Sequence, residues 1–447
     1  MNIHLISIGG AVMHNLALAL QQQGHTVSGS DDEIFEPARS RLADKGLLPA
    51  SEGWFEENIH PELDAVILGM HAKKDNPELL KAISLGLKVY SFPEYVYEHS
   101  VNKTRVVIGG SHGKTTTTAM IMHVLRNLGI DFDYLVGSKL EGFDTMVRLT
   151  PEARYIIIEG DEYLTSPLDL RPKFHLYFPH IAQLTGIAWD HINVFPTFEN
   201  YCRQFEIFIE QMPDKAPLVY FGEDQVLQQL TSGKAQRLKL LPYYTPEHKV
   251  VDGKTFVMHD GKEYPLQVFG RHNLQNMNGA MLVCRELGIS AHDFLSAMGS
   301  FGGTARRLEV VKQTPTSIIY RDFAHSPSKL KASLEAVKQQ FPERRLVACF
   351  ELHTYSSLNK DFLAEYAGTM DPADEKIVYF NPHAIAIKKI EPITKEQVRK
   401  SFGQGVTVYD DISGLREQLR RSSWDNTNLL MMSSGNFDNL DLNAVLH

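Results

Sequence analysis

Three cysteines in 447 residues, at 202, 284 and 349, are too few and too scattered to build on. An odd set without a C-x-x-C pair supplies neither a disulfide framework nor a zinc cluster, so a reducing, cytoplasmic setting is expected. Long apolar runs are missing as well: nothing approaches the ~18 residues of a membrane span, and Met1-Asn-Ile-His-Leu-Ile-Ser-Ile-Gly-Gly10 carries no basic leader, so neither a membrane anchor nor a signal peptide is expected. Positive charge is not in excess. Lys and Arg number 45 against 54 Asp and Glu, a formal net charge of −9, which argues against a nucleic-acid binder held by a general basic surface. Apolar residues, in contrast, make up 43% of the chain, and its length suits about three domains at ~150 residues each.

The most informative stretch is Val106-Val-Ile-Gly-Gly-Ser-His-Gly-Lys-Thr-Thr-Thr-Thr118, where an apolar strand runs into a Gly-rich turn and Lys-Thr opens a helix. That order builds a phosphate cradle. Gly110, Ser111, His112 and Gly113 present backbone N–H groups, Lys114 brings a mobile cation to the β/γ-phosphates, and Thr115 and Thr116 begin the helix, the Thr115 hydroxyl being placed to ligate Mg²⁺. ATP binding is the first expectation. The spacing is the shorter Gly110-x-x-Gly113-Lys114-Thr115, because Ile108 stands where the longer form has glycine.

Around this loop the pattern predicts an α/β chain of three domains, with boundaries near 101 and 303. In 1–101 a strand over 3–8, the Gly9-Gly10 turn, a helix over 11–23 and a strand over 25–29 form an opening β-α-β unit, with Asp31 about twenty positions beyond the glycines. G-x-G-x-x-G is absent, so an anion or nucleotide site other than an ordinary NAD site is expected. In 102–303 the phosphate loop is followed by strands over 154–159 and 182–185 and a long helix over 197–211. Short strands then form a sheet appended to this central domain, with a hairpin at Asp260-Gly261. In 304–447, strands over 317–323, 345–350, 376–380, 406–409 and 429–433 alternate with helices, which predicts a third, largely parallel α/β domain.

Several polar groups end these strands. Glu159 in Ile156-Ile-Ile-Glu-Gly-Asp-Glu162 is a candidate metal ligand, and His191 after Trp189-Asp190 a second one, although Mg²⁺ prefers hard oxygen donors. Asn273 and Asn276 share a helix face and could read an adenine edge; helix capping explains Asn273 equally well. Arg306 and Arg307 supply guanidinium groups suited to phosphates. Asp322, with His325 beside it, could accept a ribose hydroxyl, and surface salt bridging is the alternative for these last two pairs.

Taken in order, Ile8-Gly-Gly10, Gly29-Ser-Asp31, Asp75-Asn-Pro-Glu78, Gly110 to Thr116, Glu159 to Glu162, Asp190-His191, Gly270-Arg-His-Asn273 with Asn276, Arg306-Arg307 and Asp322-Phe-Ala-His325 resemble the motifs of the Mur ligase family over essentially the whole chain. The resemblance implies an ATP- and Mg²⁺-dependent ligase that forms an amide bond through an acyl phosphate. It also implies a Rossmann-like first domain holding UDP-N-acetylmuramate through Gly9, Gly10, Asp31 and Asn76, a P-loop ATPase-type central domain, and a Rossmann-like third domain holding the ATP ribose and the incoming amine. Lys114, Glu159, His191 and Arg306 take the catalytic roles, with Thr115, Glu159 and His191 on metal. A nucleotide-binding regulator without ligation, the reading of another class, would not need that full set.

Asp161-Glu-Tyr163, Asp169-Leu-Arg-Pro-Lys-Phe174 and Tyr177-Phe-Pro179 are similar to the family members that add the tripeptide L-alanyl-γ-D-glutamyl-meso-diaminopimelate to UDP-N-acetylmuramate. Phe350-Glu-Leu-His-Thr-Tyr-Ser356 is closer to those that add L-alanine, which stays the alternative. The sequence gives no oligomeric state.

Overall fold

The computed structural model describes residues 1–190 and 194–445. Two compact units emerge, one of Met1–Tyr244 with Gln275–Met298, the other of Thr245–Leu274 with Gly299–His447.

The first unit holds two sheets. β1 (Asn2–Ile6), β2 (Thr26–Ser30), β3 (Ala65–Leu68) and β4 (Val89–Ser91) are parallel in the order β2-β1-β3-β4. The helix Ala11–Gln22 follows the glycine pair and buries Leu16, Ala17 and Leu20.

β5 (Thr104–Gly109), β6 (Phe132–Leu135), β7 (Val147–Arg148), β8 (Tyr155–Glu159), β9 (Ile181–Leu184), β10 (Pro217–Phe221) and β11 (Lys239–Tyr243) form the second sheet, in the order β11-β10-β9-β5-β8-β6-β7. All its pairings are parallel except β6 with β7. Val106, Val107 and Ile108 are completely buried, as expected where helices cover both faces of a parallel sheet and the strand reads as an unbroken apolar run. β5 lies between β8 and β9, so the chain leaves it to opposite sides and opens a crevice at its carboxyl end, where ligands bind in open α/β sheets.

β6 escaped the sequence reading because its centre is Asp133, which has no exposed surface. Burying that carboxylate requires a partner. Lys103 supplies it: the ammonium, 5% exposed, lies 3.0 Å from Asp133 Oδ2 and also donates to Ala153 O at 2.8 Å. Thr150 N and Oγ1 each donate to the same carboxylate at 2.8 Å.

In the second unit β12 (His248–Val251), β13 (Lys254–His259) and β14 (Lys262–Leu266) make an antiparallel meander. The expected hairpin at Asp260-Gly261 is present, with φ of 47° and 73°. A second turn of the same kind, Asp252-Gly253, with φ of 50° and 70°, joins β12 to β13; positive φ at both central residues matches the twist of the flanking strands. This meander, expected to be appended to the central domain, groups with the second unit. Thr255 Oγ1 donates to Gln340 Oε1 at 2.9 Å, and Gln340 Nε2 donates to Gly253 O at 2.7 Å.

β15 (Glu309–Gln313), β16 (Ile318–Asp322), β17 (Arg345–Leu352), β18 (Glu375–Phe380), β19 (Val406–Tyr409) and β20 (Thr427–Met432) complete the chain in the order β15-β16-β20-β17-β18-β19, parallel apart from β15. The helix Arg271–Glu286 begins in the second unit and ends in the first. No helix of the described residues is long and apolar enough to cross a membrane.

Candidate active site

The phosphate loop leaves β5 and enters the helix Lys114–Asn127 through Gly113, the helix cap, at φ 84°. Side chains would not fit in the turn. A Cβ on Gly110, whose φ is 124°, would meet Thr185 Oγ1 at 2.2 Å, and one on Gly113 would meet Asn276 Oδ1 at 2.4 Å. The sequence-predicted Asn276 is thereby brought against the loop. Ser111 and Thr116 are buried, and His112 Nδ1 lies 2.8 Å from Ser111 O. Helix-initial N–H groups have no intrahelical partner, which makes this end an anion cradle.

Lys114 donates to Gly110 O at 2.6 Å and to Glu162 Oε2 at 2.7 Å. Glu162 is fully buried. Its other oxygen accepts from Tyr201 OH at 3.1 Å; that hydroxyl lies 2.9 Å from Ser111 Oγ, which accepts from Ala188 N at 2.8 Å. Burial works against the Lys114 ammonium, but the Glu162, Asp161 and Glu159 carboxylates outweigh it and raise its pKa. Burial, with Glu162 beside it, likewise pushes the Tyr201 phenol up, so Lys114 stays charged and Tyr201 protonated at neutral pH. Glu162 lay within a segment legible in the sequence; Tyr201, on the helix Phe198–Glu210, had no local signal at all.

Thr115 Oγ1 donates to Glu159 Oε1 at 2.7 Å, and Gly137 N to Glu159 Oε2 at 2.8 Å. Among the described residues no group of three His, Cys, Asp or Glu side chains could hold a metal. Thr115 and Glu159 still form an adjacent pair of oxygen donors beside the phosphate cradle, and such hard ligands, completed by phosphate and water oxygens, fit Mg²⁺. His191, the third expected ligand, lies outside the described residues.

A cavity of about 380 Å³ opens beside Lys114 and Glu159, and its lining also includes Gly10, Gly69 and His71 from loops of the first sheet and Met13 from the helix Ala11–Gln22. Gly9 N donates to Asp31 Oδ2 at 2.7 Å, and Asp32 N donates to Oδ1 at 3.0 Å. Burial lifts the Asp31 carboxyl to about 6. Asp31 thus shapes the glycine turn through the chain's own amides. Asn76 Oδ1 caps the helix Pro77–Ser84 by accepting from Leu79 N at 3.1 Å.

His14 braces the same turn from behind. Its Nδ1 lies 2.9 Å from Gly10 O and its Nε2 3.1 Å from Arg41 Nη1. A guanidinium can only donate, so Nε2 accepts and the ring is neutral with its proton on Nδ1. Arg41 Nη2 continues to Asp144 O at 2.6 Å.

Asn273, Arg306, Asp322 and His325 belong to the second unit. Asn273 Nδ2 donates to Phe269 O at 2.8 Å. Arg306 is exposed at φ 58°, and its N donates to Glu309 Oε2 at 2.8 Å. Asp322 is 6% exposed; it accepts from Leu308 N and Ala324 N at 2.8 Å and from Ser333 Oγ at 2.9 Å. In this arrangement its carboxylate anchors the 306–308 segment. His325 Nδ1 lies 2.9 Å from Phe323 O.

A phosphate cradle on one α/β sheet, a glycine turn on another and a third α/β sheet define a nucleotide-binding α/β protein of several domains. Three family models match in succession, "Mur ligase family, catalytic domain" over residues 2–104, "Mur ligase middle domain" over 108–284 and "Mur ligase, glutamate ligase domain" over 306–435. The chain belongs to the Mur ligase family, whose members are ATP-dependent enzymes that form amide bonds. It is 31% identical to a UDP-N-acetylmuramate–L-alanine ligase of Sulfurihydrogenibium, over 93% of this chain and 90% of that one. It is 27% identical to a UDP-N-acetylmuramate–L-alanyl-γ-D-glutamyl-meso-2,6-diaminoheptandioate ligase of Haemophilus influenzae, over 98% and 96%. Among solved structures, a UDP-N-acetylmuramate–alanine ligase from Thermotoga maritima superposes with a TM-score of 0.70 at 23% identity, covering 98% of this chain and 97% of that one.

Proposed function

We propose that the enzyme joins the lactyl carboxylate of UDP-N-acetylmuramate to the amino group of the tripeptide L-alanyl-γ-D-glutamyl-meso-diaminopimelate, in the recycling of cell-wall peptides. The observation that carries this reading is the single cavity lined both by the Gly10 and His71 loops and by Lys114 and Glu159. A UDP-sugar acid held on the first wall presents its carboxylate to a triphosphate held on the second.

The carboxylate attacks the γ-phosphorus, the bond to the β-phosphate oxygen breaks, and ADP leaves an acyl phosphate. The amine then adds to the acyl carbon, loses a proton and expels phosphate. Repulsion is the first barrier: two unit charges ~4 Å apart interact by ~4 kcal/mol at an effective dielectric of ~20, and the triphosphate carries several. Lys114 lowers it, holding a permanent positive charge at the cradle beside the helix N-terminus. Thr115 and Glu159 would hold Mg²⁺, which supplies further charge neutralisation at the phosphates when bound. Glu162 and Tyr201 fix the Lys114 ammonium, while Asp31 and His14 fix the glycine turn. Asn273, Asn276, Arg306, Asp322 and His325 remain the candidates for nucleotide contacts, and Gly9, Gly10, Asp31 and Asn76 for the UDP-sugar.

L-alanine as the incoming amine is the second reading, favoured by the 31% identity to the L-alanine enzyme. Phosphate release measured with ATP and UDP-N-acetylmuramate, with the tripeptide in one arm and L-alanine in the other, decides between them. Release that needs neither UDP-N-acetylmuramate nor an amine would defeat both.

A further inference from the structure

Asp161 and Glu162 are neighbours just beyond β8, and each holds one lysine. Glu162 holds Lys114; Asp161 Oδ2 lies 2.5 Å from Lys173 Nζ. Lys173 comes from the Asp169-Leu-Arg-Pro-Lys-Phe174 segment, for which neither nucleotide binding nor metal binding has a use. It also lines the 380 Å³ cavity, together with Asp161. Much of the remaining wall is carbon, from Val12, Met13, Phe92, Leu135 and Val136, and such surroundings strengthen any charge interaction made inside.

Counter-ion duty alone does not account for this lysine. An ammonium has three donors, and the structure gives Lys173 one acceptor, Asp161. Its side chain is 19% exposed. The Tyr163 ring lies against the ammonium, its centroid 5.7 Å from Nζ. The cavity therefore carries two cations: Lys114 at the phosphate cradle and Lys173 on its own wall, with N–H capacity to spare.

We propose that Lys173 is the donor-carboxylate subsite: its ammonium receives the carboxylate of the sugar acid and steers one oxygen toward the γ-phosphate. The assignment rests on the cavity being the donor pocket, as argued above. The carboxylate oxygen forms the new bond to phosphorus, the bridging bond to ADP breaks, and the carboxylate's charge passes into the phosphate groups without a proton moving.

The test uses the full chain and three variants. Lys173→Met should raise KM for UDP-N-acetylmuramate about 10- to 100-fold, the range expected for losing a hydrogen bond to a charged group, and leave KM for ATP within about twofold. Lys173→Arg should restore most of the difference. In direct binding, the wild-type preference for UDP-N-acetylmuramate over UDP-N-acetylglucosamine, which lacks the lactyl carboxylate, should collapse in Lys173→Met. Asp161→Asn should lower KM for the donor several-fold, since Asp161 competes for the same ammonium; a purely structural ion pair predicts no such gain. Unchanged donor KM and an unchanged preference between the two sugars in Lys173→Met overturn the proposal alone. A wild-type enzyme that neither binds nor turns over UDP-N-acetylmuramate overturns the donor pocket, and Lys173's role with it.

Discussion

Glu162→Gln should make the enzyme bind ADP more tightly and turn over more slowly. The carboxylate lies 2.7 Å from the Lys114 ammonium, in a side chain with no exposed surface. At that separation the gross attraction is ~6 kcal/mol at an effective dielectric of ~20. Most of it is offset by desolvation, and a hydrogen bond between charged groups contributes ~1.5–3 kcal/mol net. Glutamine preserves the shape and can still accept from Lys114, while its amide can face Tyr201. Only the charge is lost. An ammonium no longer neutralised by Glu162 attracts the β-phosphate more strongly in the ground state, and ~1.4 kcal/mol of released competition corresponds to a tenfold lower Kd. The same freedom removes the restraint that orients Nζ, so kcat falls. Isothermal titration with ADP, beside steady-state turnover and a thermal melt, separates the contributions. A melt close to wild type with an unchanged or weaker ADP Kd would refute the argument, because it would show that Glu162 and phosphate do not compete for Lys114.

Other consequences are simpler to read. Lys114→Ala should abolish ADP production while leaving the circular-dichroism spectrum that of a folded chain, with a lowered melt because buried Glu162 loses its ammonium partner; wild-type turnover would remove the phosphate-loop assignment. Lys103→Met leaves the buried Asp133 carboxylate with Thr150 and, at 3.7 Å, the Arg148 guanidinium, and should cost up to about 3–5 kcal/mol, whereas pairing it with Asp133→Leu should recover much of the loss, as measured by urea denaturation. Asp31, lifted by burial to about 6, binds a proton more tightly folded than unfolded; its contribution to stability is complete below pH ~4 and disappears as pH rises through about 6, so Asp31→Asn should flatten that slope in urea midpoints. His14 has the opposite sign. Burial, then Arg41, lower its pKa against the Gly10 hydrogen bond, so its contribution is present above pH ~6.5 and is lost on acidification, and His14→Gln should remove that acid-side loss.

The phosphate loop was legible because its chemistry is local: glycine, lysine and threonine occupy consecutive positions after the apolar run Val106-Val-Ile108. Strands β8, β9 and β17 were legible from similar short apolar runs. β6 was not, since Asp133 interrupts it and the partner that makes burial tolerable, Lys103, is thirty residues away in sequence. β15, Glu309–Gln313, is a half-polar antiparallel edge and lacks an apolar run. The meander shows a different limit. Its Asp252-Gly253 turn carried the same signal as Asp260-Gly261, but its attachment to the second unit depends on Gln340, 85 positions from Thr255. In the site, residue types at strand ends indicated Glu159 and Lys114, whereas what each touches depends on tertiary placement. Asn76 became a helix cap, Asp322 an anchor for its own backbone, and Tyr201 a partner of Glu162.

Asp161 and Glu162 have one further consequence, which concerns length rather than identity. These two neighbours serve two different lysines, while Glu159, the last residue of β8, accepts from Thr115. Substitutions here weaken one contact at a time and can be compensated singly. Inserting or deleting one residue between Glu159 and Asp161 displaces the partners of Lys114 and Lys173 together, which no single substitution does. Four consecutive residues thereby act as a ruler, and the spacing between 159 and 162 is under a stricter constraint than any one of its side chains.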